Sequence, residues 1–216
     1  MPFNELSRPS PRADVSFREP ATEEQLAALA QSLQERNFEV LLVDDAAAAK
    51  REVLRRLPDG AEVHTAKSKT LDDIGVSAVV SEPGRYDFLR AKLFAMDRET
   101  QGREMRKLVA APDYELGSVQ AVTEAGQLVV ASATGSQMGP YASSSGHLIL
   151  VIGSQKVVPD LDAALRRISE HVQPYEDERL LEQMGVHTAL CKILIIERDY
   201  TPGRTTMILV REPVGV

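Results

Sequence analysis

In the stretch TEEQLAALAQSLQERN the apolar residues Leu26, Leu29, Ala30 and Leu33 recur at helical spacing. Thr22, followed three residues later by Gln25, has the form of a capping box, so the pattern predicts a helix that starts just after Thr22. FEVLLVD is a short continuous apolar run and predicts a buried strand. AAAAKREVLRRL after Asp45 predicts a helix, and PDG predicts its stop. AEVHT reads as a second strand and SAVVS as a third, with Thr70 between them placed to cap a short helix over Leu71 to Ile74. Residues 86 to 109 are dense in helix formers and predict two helices broken at Gly102, with no strand.

The alternation resumes in the second half of the chain. SVQAVTE, QLVVAS and HLILVIG predict strands, and DLDAALRRISEHV predicts a helix with Leu161, Leu165 and Ile168 on one face and Asp160 as its cap. A polar helix around EDERLLEQMG follows. Two β-rich runs, CKILIIERD and TTMILVRE, are separated by the turn residues YTPGR and read as a closing hairpin. Strands alternating with helices predict an α/β fold, a mainly parallel open sheet flanked by helices. Pro2, Pro9, Pro11 and Pro20 mark residues 1–20 as an arm that buries little, which leaves 21–216 as a single domain.

Composition removes several function classes. The 25 basic and 32 acidic residues give a net charge of −7, which offers nucleic acid or an anionic membrane no attraction. No apolar run reaches the roughly 20 residues of a spanning helix, and the start has no apolar signal core, so the expected location is the cytoplasm. Cys191 is the single cysteine and lies in the apolar run LCKILII, where an inert core thiol is expected. One cysteine builds neither a disulfide framework nor an iron–sulfur cluster. The four histidines, His64, His147, His171 and His187, show no HxxH or HExxH spacing and read as structural or surface residues, so no metal and no cofactor is expected.

The candidate chemistry lies in three strand-end turns: KSKT at 67–70, TEAG at 123–126 and TGSQ at 134–137. Gly, Ser and Thr at such turns expose backbone N–H and hydroxyl groups that can cradle a carboxylate or phosphate. Ser68, Thr70, Thr123, Thr134, Gly135, Ser136 and Gln137 are therefore candidate ligand-binding residues. Lys156, directly after HLILVIG, adds a positive charge, and Glu124 is the candidate base or nucleophile. The expected ligand is a small anion.

GSVQAVTEAGQLVVASATGSQ, followed by HLILVIGSQKVVPDLDAALRRI, resembles the lactate utilization (LUD) domain family. Members of that family carry GS-x-x-A-(I/V)-TE-x-G, then a strand, a Gly-containing turn and V-x-G-x-x-K-(I/V)-V-x-D-L-x-x-A. KTLDDIG and GRTTMILV resemble two further elements of the family, and together the matches cover most of residues 60–212. The resemblance implies a fold similar to the ribose-phosphate isomerase, glucosamine-phosphate isomerase and CoA transferase group, with ligands above strand-end loops. It also implies a part in oxidising lactate to pyruvate alongside iron–sulfur partner subunits. Three readings stay open: a non-redox accessory subunit that binds an anion, a transferase or isomerase using Glu124, and a regulatory or assembly module with a vestigial cleft.

Overall fold

The computed structural model describes residues 12–216, so most of the Pro-rich arm, including Pro2, Pro9 and Pro11, lies outside the described residues. The rest of the arm runs over the surface. Asp14 caps a short turn at Val15–Arg18 that buries none of its residues, and the Asp14 N–H donates to the Glu170 carbonyl at 2.8 Å. Helix α1 (Glu23–Glu35) begins at the expected capping box. The Gln25 N–H donates to Thr22 Oγ1, the Thr22 N–H donates back to Gln25 Oε1, and Leu26, Leu29 and Leu33 are buried.

Helix α2 (Ala46–Arg55, capped by Asp45) and strand β2 (Glu62–Thr65) follow as the sequence predicts; strand β1 (Glu39–Val43) forms where expected but is not the buried strand its apolar run suggests, because it is an edge of the main sheet and is only half-buried. The next segment corrects the expectation twice. Helix α3 (Lys69–Asp73) is capped by Ser68, whose Oγ accepts from the Leu71 N–H, which leaves Thr70 inside the first turn and buried. SAVVS is helical, not a strand: α4 (Val76–Ser81) buries Val76 and Val80, one turn apart, in the same core as Ala49 and Val53 of α2. A five-residue apolar run satisfies either period, and packing decides between them.

Residues 86–109 contain a short strand β3 (Asp87–Phe88) that the sequence does not announce, then α5 (Leu89–Ala95) and α6 (Gly102–Leu108). The remaining elements are β4 (Tyr114–Gly117), β5 (Ala121–Thr123), β6 (Leu128–Ser132), β7 (His147–Gly153), β8 (Val157–Val158), α7 (Leu161–Arg167, capped by Asp160), α8 (Gln173–Met184), β9 (Lys192–Ile196) and β10 (Thr205–Val210).

Six strands form a wholly parallel sheet in the order β1-β10-β7-β4-β2-β3. A second sheet, β8-β5-β6-β9, is mixed, with β6 antiparallel to both β5 and β9. The expected closing hairpin therefore does not form. All six residues of β10 are buried between β1 and β7, the environment of a central parallel strand, whereas β9 is the partly exposed edge of the second sheet. Cys191, just before β9, is exposed and is not the core thiol the apolar run suggests.

The main sheet is covered on both faces. Val63, Leu116, Ile149, Val151 and Ile208 pack against α2, α3 and α4. Leu148, Leu150, Ile152, Met207 and Leu209 pack against α1 and the inner face of the second sheet, Val122, Leu128 and Val130. Beyond the second sheet, Ala164 and Ile168 cover Ala121 and Val129.

This layering places a crevice. After β2 the chain enters α3 and α4 on one face and moves outward to β3, whereas after β4 it enters β5 and β6 on the opposite face and returns to β7. Adjacent parallel strands whose connections leave to opposite faces open a gap at their carboxyl ends, where ligands of open α/β sheets bind.

Candidate functional site

A cleft of about 1160 Å³ occupies that crevice. Its floor is made by His64 and Thr65 at the end of β2, Gly117 and Ser118 at the end of β4, Thr70 of α3, and Lys156. Lys156 follows β7 through one tight turn, Ser154–Lys156, and only 3% of it is exposed. Its Nζ donates to Thr70 Oγ1 at 2.8 Å and to Ser118 Oγ at 2.9 Å. The Ser118 hydroxyl spends its own proton on the Val151 carbonyl at 2.6 Å, so toward Lys156 it acts as acceptor.

Burial pushes the Lys156 ammonium down to about 7. The Arg167 guanidinium adds to the effect and Asp73 opposes it. Arg167 is itself fully buried, donates to the Gln120 carbonyl, and leaves Nε and Nη2 without a partner among the described residues. Its own value drops to about 10 for the same reason of burial. No carboxylate forms an ion pair with Lys156 among the described residues, so the floor of the cleft is short of negative charge.

Ser118 is held from behind. The Tyr141 hydroxyl donates to the Ser118 carbonyl and accepts from its N–H, and a Cβ on Gly117 would overlap that hydroxyl. Gly117 is thus the one residue that lets the strand end sit on Tyr141.

A second group in the floor was not singled out by sequence reasoning. His64 and Glu115 stand directly opposite each other on β2 and β4, and His64 Nδ1 lies 2.6 Å from Glu115 Oε2. Glu115 is fully buried, with Oε1 unpartnered among the described residues. Burial raises its carboxyl to about 7 while His64 pulls it back. Because Nδ1 is engaged by Glu115 and His64 lines the cleft, Nε2 is the ring nitrogen left for a ligand. The signal for this pair is a strand register, which a single chain read along its length does not display.

The candidate residues separate into two groups. Ser68, Thr70, Thr134, Ser136, Gln137 and Lys156 line the cleft together. Gly135 belongs to the same turn but serves its geometry: its φ is +82°, its N–H donates to Ser132 Oγ, and it is not a lining residue. Thr123 and Glu124 lie elsewhere. Thr123 is fully buried and its Oγ1 accepts from the Gln127 N–H. Glu124 is exposed, accepts from Gln25 Nε2 at 3.0 Å, and borders a shallow depression formed with Glu24, Gln25, Ala28 and Leu29. The hairpin explains the separation. The start of β5 and the end of β6 are at the cleft, so the tight turn joining them is at the far end of the hairpin, roughly 10 Å of strand away.

The walls come from helices. Lys67 and Lys69 stand at the rim in ion pairs with Asp72 and Asp73. Half-buried Arg90 donates to the Thr65 carbonyl, and its guanidinium carbon lies 5.2 Å from the Phe94 ring centroid. Seven lining residues are basic and four acidic, so the cleft carries the opposite sign to the chain as a whole. Among the described residues no group of three or more His, Cys, Asp or Glu side chains is arranged to hold a metal ion.

The sequence profile of the LUD domain matches residues 26–210, most of the chain. The chain belongs to the LUD domain family. A search of curated proteins finds no match. Among solved structures this LUD domain is similar to a DUF162 family protein from Deinococcus radiodurans, with a TM-score of 0.51 and 12% identity over 87% of this chain and 96% of the other. At that identity the likeness concerns the fold alone. No helix of this LUD domain is long and apolar enough to cross a membrane among the described residues.

Proposed function

We propose that this LUD domain binds a small carboxylate- or phosphate-bearing molecule in the cleft at the ends of β2 and β4, as a non-redox accessory protein of lactate utilization in the cytoplasm. The observation that carries the reading is Lys156, a buried amine with two hydroxyl partners and no carboxylate on the floor of a cleft of net positive charge. An anion there completes the missing charge and forms charge-assisted hydrogen bonds. Family membership supports the lactate setting. With a single, exposed cysteine the chain does not carry an iron–sulfur cluster by itself, so electron transfer falls to partner subunits.

Titration calorimetry with L-lactate, pyruvate and inorganic phosphate tests the reading. The free ammonium loses its proton near pH 7. A bound anion favours the charged form, so binding takes up a proton, and for L-lactate and pyruvate, whose carboxylates stay ionised throughout, affinity falls about tenfold between pH 6 and pH 8. Affinity that is flat with pH, or unchanged in Lys156→Met, overturns it.

One observation favours an enzyme as the second reading. His64, oriented by Glu115, supplies a proton-transfer group in the same cleft, so turnover would run through His64 and not Glu124. His64→Gln abolishing turnover that Glu124→Gln leaves intact is the expected pattern.

A further inference from the structure

The cleft is far larger than a three-carbon acid requires. A volume of about 1160 Å³ exceeds the upper end of the range, about 300–1,000 Å³, that houses drug-sized ligands, whereas lactate has six non-hydrogen atoms. Its polarity is also graded. The floor holds the buried Lys156, Thr70 and His64, while Phe94 and Met184, each 68% exposed, stand in the walls near the mouth. Leu93, Met105, Val109 and Leu190 join them, drawn from α5, α6 and the segment after α8. Exposed large apolar side chains gathered around one opening mark a surface that a ligand covers.

Arg90 connects the two zones, with its guanidinium bonded to the Thr65 carbonyl at the strand end and stacked on Phe94. A ligand that satisfies both zones carries an acid at one end and an apolar body at the other.

We infer that the natural ligand of this site is an amphiphilic acid, a carboxylate with an extended aliphatic or aromatic body, and not lactate or pyruvate itself. The inference rests on the anion site at Lys156. The carboxylate bonds the Lys156 ammonium and the Thr70 hydroxyl, and the body lies along Phe94, Leu93 and Met184.

A homologous series of 2-hydroxy acids, from L-lactate through 2-hydroxybutanoate and 2-hydroxyhexanoate to 2-hydroxyoctanoate, tests this by calorimetry on the full chain. A fully buried methylene is worth about 0.8 kcal/mol, or about fourfold in affinity; at half that burial each adds about twofold, so the longest acid binds at least about 30-fold tighter than lactate. The double variant Phe94→Ser, Met184→Ser, at two exposed positions, flattens the series while leaving lactate affinity unchanged. Lys156→Met weakens every member.

Equal affinity along the series, or a gradient that survives the double variant, overturns the amphiphilic ligand while leaving the anion site standing. Octan-2-ol binding as tightly as 2-hydroxyoctanoate overturns it as well, because the acid would then contribute nothing. No binding by any acid, or binding that Lys156→Met leaves unchanged for every member, overturns both.

Discussion

Replacing Lys156 by Met should make the protein more stable while it loses its ligand. In the folded state burial takes the ammonium from 10.5 to about 7. At about 1.4 kcal/mol for each tenfold change, the burden on folding at pH 7 is about 4 kcal/mol, an order-of-magnitude figure for a fully buried group. Methionine fills a similar volume with no charge but forfeits the hydrogen bonds to Thr70 and Ser118, worth about 1 kcal/mol each. The net gain is about 1–3 kcal/mol, in the range found when buried charges are replaced by apolar groups of like volume. For a chain of this size that raises the melting temperature by about 3–9 °C.

The sign with pH distinguishes this cause from better packing. Between about 7 and 10.5 the unfolded wild type holds a proton that the folded protein has released, so wild-type stability rises with pH over that window. The variant lacks this dependence. Calorimetric melts at pH 7 and near pH 9.5 should show the gap closing at the higher pH, where the remaining burden of about 1–2 kcal/mol no longer exceeds the two forfeited hydrogen bonds. A variant that is less stable at pH 7, by an amount that does not change with pH, refutes the reasoning and makes Lys156 an ordinary structural charge.

Three further outcomes follow from the geometry. Glu124→Gln should leave binding of any anion within about twofold by calorimetry, because Glu124 bonds Gln25 outside the cleft; a larger loss would mean that the hairpin turn reaches the ligand. Glu115→Ala should lower stability by about 1–3 kcal/mol in urea titrations, since it leaves the buried His64 Nδ1 without its partner; no loss would show that the pair is not formed. Deleting residues 1–18 should lower the melting temperature by less than about 4 °C, because Val15–Arg18 buries none of its residues.

Local signals carried much of the architecture. Thr22, Asp45 and Asp160 announce their helices through side-chain oxygens that accept from N–H groups three residues on, an interaction contained within one turn. HLILVIG announces β7 because a strand covered on both faces needs an unbroken apolar run. The family motifs were legible for a similar reason, being contiguous in the chain, and Lys156 and the 134–137 turn were legible as polar residues directly after strand-like runs.

Pairing partners and directions were set by contacts distant in sequence. SAVVS is helical because Val76 and Val80 meet α2, and KILII and TTMILV part into different sheets because only one of them fits between β1 and β7. The same layer of causes decided the site. His64 and Glu115 are 51 positions apart and face each other only through the β2–β4 register. Glu124 and Ser136 are 12 positions apart, yet an antiparallel hairpin puts its turn at the opposite end from its two open ends, so one leaves the cleft that the other lines. The sequence by itself determined which turns are polar and where the lysine stands; which of them share a cleft followed from the side of the sheet to which each connection crosses.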